Sequence, residues 1–190
     1  MNRFQSRAVR RTVASALVGL ALLAVGALPA FAAMPAPDPT PSCNGKLATI
    51  VGARGEAAIR GTQGADVIVG LGAGVRIDGR GGDDTICAGA GDNIIYGGAG
   101  NDWIDGSDGV NTTDGGAGDD TMFGGSGDDT ILGGTGNDDV DAGDGDNLVS
   151  TGSGDDIIVT GAGDDRIDGA KDFDTCQAGG GSNYVGHCEA

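Results

Sequence analysis

The chain of 190 residues contains 40 glycines, and only 4% of its residues are aromatic. So few large apolar side chains cannot fill a conventional globular core, and the lack of a proline-rich triplet period excludes collagen. A formal net charge of −17 excludes nucleic acid as a partner, because a polyanion repels phosphate. Two interpretations are left: a solvated disordered chain, or a folded chain whose acidic groups are neutralised by bound cations.

The N-terminal residues 1–32 have the features of a secretory signal peptide. Four arginines precede an apolar stretch at 13–28, and Ala30-Phe31-Ala32 supplies a small-x-small cleavage pattern. A membrane anchor is the alternative, but the apolar run is short, so we expect cleavage and no stable membrane insertion of the mature chain. Arg10-Arg11 leaves twin-arginine export open beside the ordinary route. Because the segment holds four arginines and no acidic residue, cleavage leaves a charge near −21.

Four cysteines follow in the remainder of the chain, and an even number in an exported protein predicts two disulfides. Proximity in the sequence favours Cys176–Cys188, which leaves Cys43–Cys87, although the repeat spacing does not obviously bring the second pair together. A zinc site is the alternative, but there is no C-x₂-C pair and only one histidine, His187, could assist. Before the first cysteine, residues 33–42 alternate proline with small residues, which indicates an extended linker.

From Gly61 onward the sequence consists of fourteen nine-residue copies without an insertion or deletion, and two weaker copies precede them at 43 and 52. The first six residues of each copy are turn-forming, with Gly at positions one, two and four. The last three predict a short strand whose middle residue, position eight, is apolar in nearly every copy and points inward. Such strands are stable only when stacked on identical neighbours. The clearest copies are GGAGNDWID at 97–105, GGAGDDTMF at 115–123, GGSGDDTIL at 124–132 and GGTGNDDVD at 133–141.

This unit resembles the G-G-x-G-x-D-x-U-x nonapeptide of the RTX (repeats-in-toxin), or haemolysin-type, calcium-binding family, closely over 61–186 and loosely over 43–60. The resemblance implies an all-β fold, a right-handed parallel β-roll (β-solenoid) with two nonapeptides per turn and about seven full turns. It also implies Ca²⁺ between stacked Gly/Asp turns, with the aspartate at position six and backbone carbonyls as ligands. Calcium prefers six to eight hard oxygen ligands, which such turns can supply.

If two nonapeptides make one circuit, alternate copies lie on the same edge and position six separates into two sets. Edge one carries aspartate in all seven copies: Asp66, Asp84, Asp102, Asp120, Asp138, Asp156 and Asp174. Edge two carries Val75, Asn93, Asn111, Asp129, Asn147, Asp165 and Asn183.

Seven stacked turns leave six gaps, so edge one predicts up to six strong calcium sites. On edge two we expect Asp129, Asp165 and the amide oxygens of Asn93, Asn111 and Asn147 to form weaker sites. Edge two could instead rely on the position-five residues Asp92, Asp128, Asp146 and Asp164.

The ends of a solenoid need caps, because an open last strand exposes both core and edge. We expect residues 43–60 to form degenerate N-terminal capping repeats, 61–177 the calcium-binding roll, and 178–190 a C-terminal cap closed by Cys176–Cys188. Thr113, at an inward position, is the weakest point of the predicted core.

The predicted function is that of a secreted, extracellular calcium-binding repeat protein that folds on binding Ca²⁺. We expect no enzymatic activity, because no nucleophile and base surround the single histidine. The alternative is an adhesin-like, ice-binding or glycan-binding roll that uses its flat outer face, but the outward threonines form no regular array. Family members usually attach such rolls to enzyme or toxin domains, whereas here the repeats fill the mature chain.

Overall fold

The computed structural model describes residues 40–72 and 74–189. Within those ranges the chain contains β-strands and no helix, so nothing there could span a membrane as a helix. The predicted signal peptide, residues 1–32, and most of the linker lie outside the described residues. The strands are β1 (Ser42–Cys43), β2 (Lys46–Leu47), β3 (Ile50–Val51), β4 (Ala58–Arg60), β5 (Val67–Val69), β6 (Arg76–Gly81), β7 (Thr85–Cys87), β8 (Ile94–Ala99), β9 (Trp103–Asp105), β10 (Thr112–Ala117), β11 (Thr121–Phe123), β12 (Thr130–Thr135), β13 (Asp139–Asp141), β14 (Leu148–Ser153), β15 (Ile157–Val159), β16 (Arg166–Lys171), β17 (Thr175–Gln177) and β18 (Tyr184–Gly186).

Two eight-stranded parallel sheets are built from alternate strands. One sheet has the order β4-β6-β8-β10-β12-β14-β16-β18, and the other β3-β5-β7-β9-β11-β13-β15-β17. Paired residues are eighteen apart in the chain; Ile131, for example, lies between Thr113 and Val149. One circuit, here called a coil, therefore takes two nonapeptides, and the predicted β-solenoid is confirmed, with about eight coils.

The core is the single seam of position-eight side chains between the two sheets. These side chains are almost completely buried from Ile59 through Ile167, while the flanking positions seven and nine are mostly exposed or half-buried. Thr113 is buried in the seam with them. At the C-terminal end Val185 is 44% exposed, because β18 is the last strand of its sheet and no further coil among the described residues covers it.

The strands of one sheet are longer than the three residues predicted. The even-numbered strands from β6 to β16 have six residues each. They continue through the first three positions of the next nonapeptide. Gly98 and Gly116, at position two, have φ of 118° and 112°. This backbone conformation bends the chain while it still pairs with its neighbours, as in the register Gly116↔Gly98 and Ala117↔Ala99.

Both predicted disulfides are present, with Cα–Cα distances of 5.7 Å for Cys43–Cys87 and 5.8 Å for Cys176–Cys188. The first joins the antiparallel pair β1-β2 to β7, where Lys46 Nζ also donates a hydrogen bond of 2.8 Å to Thr85 Oγ1. The second ties the chain end to β17. Each end of the solenoid is thus linked covalently to a paired strand.

The close approach of coils predicts that Gly116→Ala destabilises the fold by at least about 2 kcal/mol. A methyl group there would collide with the carbonyl of Gly98, and the positive φ disfavours any side chain. The matched control is Gly180→Ala, where an added Cβ meets no other atom of the described chain within 4 Å. Chemical denaturation followed by circular dichroism measures both, and equal stabilities would contradict the proposed packing.

Candidate metal centre

A ladder of side-chain hydrogen bonds runs along each edge of the solenoid. On both edges the position-six Oδ1 accepts the backbone N–H of the position-six residue one coil earlier. On edge one Asp102 accepts from Asp84, and Asp120 from Asp102, both at 2.8 Å. On edge two Asp129 accepts from Asn111 at 2.7 Å. The two ladders contain all twelve predicted ligand residues, on the edges that the eighteen-residue period predicts.

The second carboxylate oxygen has no such partner in most aspartates of the ladders. These aspartates, here called the unpartnered carboxylates, have a buried Oδ2 to which no group in 40–72 or 74–189 donates a hydrogen bond. A buried carboxylate oxygen without a donor is costly unless a proton or a cation compensates it. Six lie on edge one and two on edge two: Asp84, Asp102, Asp120, Asp138, Asp156 and Asp174, then Asp129 and Asp165.

Five of the six oxygens on edge one, those of Asp84, Asp102, Asp120, Asp138 and Asp174, lie near a backbone carbonyl of the next coil. A methyl group built on Gly97, at position one, would collide with both Asp102 Oδ2 and the carbonyl oxygen of Gly115. Glycine therefore keeps open a small space that is bounded by two hard oxygens from successive coils. The same arrangement recurs at Gly79, Gly115, Gly133 and Gly169, and on edge two at Gly124.

No three acidic, histidine or cysteine side chains converge in the described part of the chain. Any cation between the turns must therefore take its remaining ligands from backbone carbonyls, side-chain amides or water. A carboxylate and several carbonyls form an all-oxygen donor set, which suits Ca²⁺. The residues present thus fit the ion that the repeat implies.

Two of the eight unpartnered carboxylates have a threonine where the others have glycine at position one. Thr151 precedes Asp156, and its Oγ1 donates a hydrogen bond of 3.2 Å to the carbonyl of Gly169. Thr160 stands at the corresponding position before Asp165. This difference was not predicted, although the departure from Gly at position one in the sequence signals it.

Asp66, at the N-terminal end of edge one, has protein donors for its carboxylate. Its Oδ2 accepts hydrogen bonds from Thr62 N–H at 2.7 Å and from Thr62 Oγ1 at 2.9 Å. Thr62 stands at position two, where most copies have glycine. Asp66 thus joins the ladder, but its carboxylate needs a cation less than those of the following coils.

The asparagines of edge two use both ends of their amide. Oδ1 takes part in the ladder, and Nδ2 donates to carbonyls of the same turn at positions two and four. For Asn93 these bonds are 2.8 Å to Gly89 and 2.6 Å to Gly91. Asn111, Asn147 and Asn183 repeat one or both bonds at 3.1 to 3.3 Å.

The position-five side chains form an outer ladder in the opposite direction. Asp128 Oδ1 accepts the N–H of Asp146 in the next coil at 2.9 Å, and Asp146 accepts that of Asp164 at 2.8 Å. These residues are exposed to solvent. They therefore hold successive coils in register from outside the turns, whereas the position-six carboxylates lie inside them.

Burial perturbs the position-six carboxylates. Desolvation raises the pKa of Asp84 and Asp120 to about 7, and that of Asp102, Asp129 and Asp138 to about 6. Neighbouring carboxylates of the same edge also raise the pKa of Asp84 and Asp120. Without a cation, Asp84 and Asp120 are therefore partly protonated at neutral pH.

A family model described as the RTX calcium-binding nonapeptide repeat (4 copies) matches the chain in overlapping segments. They comprise residues 60–95, 78–113, 88–122, 114–149, 141–176 and 150–185, which is well over half of the chain. No curated protein and no solved structure matches it.

The raised pKa values predict that the calcium-stripped protein is more stable in acid than at neutral pH. The folded state binds protons more tightly than the unfolded state, whose aspartates titrate near 3.8. This stability is therefore complete below about pH 4 and is lost as pH rises through 6 to 7. Circular dichroism in calcium-free buffer measures it as a larger β-sheet signal at pH 5 than at pH 8. Asp120→Asn is expected to reduce the difference, and greater stability at pH 8 would contradict the assignment.

Proposed function

The chain belongs to the RTX calcium-binding nonapeptide repeat family, and from this premise we propose that it is a secreted β-roll whose function is to bind Ca²⁺ between stacked Gly/Asp turns. The row of buried, unpartnered carboxylates along edge one is the observation that supports it most directly. Cations that lie along such a row stabilise it, because they compensate the carboxylates that are ionised at neutral pH.

The Gly/Asp turns are not equivalent as ligands. Where glycine occupies position one, the space between Oδ2 and the next carbonyl is open. We assign the strong sites to these turns: Asp84, Asp102, Asp120, Asp138 and Asp174 on edge one, and Asp129 on edge two. Asp156 and Asp165 follow a threonine and form weaker sites. Bound calcium supplies positive charge to the carboxylates and carbonyls that face each turn.

Calcium binding is coupled to folding in this proposal. Adjacent strands are about 4.8 Å apart, so ionised carboxylates of successive coils repel when no cation lies between them. The unfolded chain lacks the stacked turns, and binding energy therefore becomes folding energy. Extracellular calcium modules bind at roughly 10⁻⁴ to 10⁻³ M. The protein would then stay unfolded where the concentration of free calcium is low, and it would fold after export.

Export is supported by the signal-like residues 1–32 and by the two disulfides, which form in oxidising compartments. The proposed mature protein consists of a linker at 33–42, capping repeats at 43–60, the roll at 61–177 and a C-terminal cap at 178–190.

The proposed role is structural or ion-binding, and it is the calcium-binding repeat that supports it. His187 Nδ1 lies at the surface, 2.7 Å from Asp168 Oδ1.

We predict that Asp120→Asn removes one bound calcium ion per chain or weakens one site at least tenfold. Native mass spectrometry across a calcium titration counts the ions. The matched control is Asp119→Asn, the neighbouring position-five residue, which is exposed and can still accept the N–H of Asn137 through its amide oxygen. Equal losses from the two variants would contradict the assignment of Asp120 as a ligand.

Folding on binding predicts a large gain of β-sheet circular dichroism when millimolar Ca²⁺ is added to the chelated, oxidised protein at pH 7.5. Mg²⁺ at the same concentration is the control, because it demands octahedral geometry and keeps its water ligands. A spectrum that does not change with calcium would refute the coupling, even if ions are bound.

A further inference from the structure

We propose that the asparagines at position six of edge two replace a metal ion, so that their turns form without calcium. The proposal concerns Asn93, Asn111, Asn147 and Asn183, whose turns are here called the amide-closed turns. It rests on the proposed function, in which the aspartate turns bind calcium, and it holds that the asparagine turns do not. It also revises the expectation that Asn93, Asn111 and Asn147 are weak ligands.

The hydrogen bonds fix the orientation of each amide. Asn93 Oδ1 accepts the N–H of Val75 at 3.0 Å, and its Nδ2 faces two carbonyl oxygens. The reverse orientation would place an amide NH₂ against a backbone N–H and an amide oxygen against two carbonyls. Only one orientation therefore satisfies every group. In this orientation no amide oxygen points into the turn.

Asparagine and aspartate at position six thus both provide an acceptor for the ladder and a second atom that faces the turn, but that second atom differs in its chemistry. Both supply Oδ1 to the ladder, as Asn111 does for Asn93 and Asp129 does for Asn111. The second atom differs: Asn111 Nδ2 donates to the carbonyls of Ser107 and Gly109, whereas Asp129 Oδ2 has no donor in the described chain. The NH₂ group provides the positive hydrogens that a cation would otherwise provide to the turn carbonyls.

The order of residues along edge two supports this interpretation. Asp129 lies between Asn111 and Asn147, and Asp165 lies between Asn147 and Asn183. No two position-six carboxylates are therefore adjacent on edge two, whereas edge one has seven in succession. Repulsion between neighbouring buried carboxylates is therefore confined to edge one, because the stacked carboxylates of Asp128, Asp146 and Asp164 on edge two are exposed to water, which screens them. Calcium thus controls one edge, and the other edge is largely formed by the protein alone.

The decisive test is Asn111→Asp, which replaces an amide-closed turn by a Gly/Asp turn. We expect one additional calcium ion per chain by native mass spectrometry. The matched control is Asn101→Asp, at position five, where the exposed side chain needs only its acceptor oxygen for the N–H of Asp119. It should leave the ion count unchanged.

The reciprocal change, Asp129→Asn, keeps the test informative if Asn111→Asp does not fold. We expect it to lose one ion and to raise the β-sheet circular-dichroism signal of the chelated protein at pH 7.5. If the wild-type protein binds calcium but neither variant changes the ion count, the amide-closed turns are refuted and the proposed function stands. If the wild-type protein binds no calcium, the proposed function fails, and only a gain of β-sheet signal in chelated Asp129→Asn would still support the amide closure.

Discussion

The hydrogen bond from the backbone N–H of one position-six residue to the Oδ1 of the next is the contact on which the two edges depend. It joins residues eighteen apart and fixes the stacking register of every coil from Asp66 to Asp174 on edge one. Aspartate and asparagine satisfy it equally well. The contact also directs the second atom of the side chain into the Gly-rich turn. There the Oδ2 of aspartate needs a cation or a proton, whereas the Nδ2 of asparagine donates hydrogen bonds to the turn carbonyls. One atom per copy therefore decides whether a turn requires a cation.

This division explains a composition that a conventional domain could not tolerate. The apolar seam contributes one buried side chain per nonapeptide, so its hydrophobic stabilisation is spread thinly along the axis. The remaining stability must come from the sheet ladders, the disulfides at the two ends and the chemistry of the turns. The net charge of −17 reflects the many carboxylates that can bind cations. Most of the buried, unpartnered carboxylates lie on edge one. Because solenoid coils contact only their neighbours, each site stabilises the junction that it occupies.

Much of this arrangement follows from the sequence, because a strict nine-residue period leaves few choices. The period predicts the parallel sheets, the inward Ile104 and Ile131, and the separation of position six into two edges. The longer strands β6 to β16 were not predicted, since backbone pairing through position two depends on glycine conformations that a residue pattern does not specify. Both cysteine pairs were named, although only the folded chain brings Cys43 near Cys87.

The candidate site was less predictable than the fold, for a chemical reason. Asparagine carries both a donor and an acceptor, so its letter alone does not say which atom faces the turn. Its direction at Asn93 follows from the N–H of Val75, which belongs to the preceding coil. In the same way, Thr62 and Thr151 change their sites through hydroxyl contacts that only the stacked geometry defines.

The most direct test of the account is anomalous diffraction from crystals grown in saturating calcium, recorded at a wavelength at which calcium scatters anomalously. The account predicts a calcium peak beside Oδ2 of Asp84, Asp102, Asp120 and Asp138 along edge one, and none beside the Nδ2 atoms of edge two. Edge-one coils that stack under these conditions with no calcium between them would contradict it.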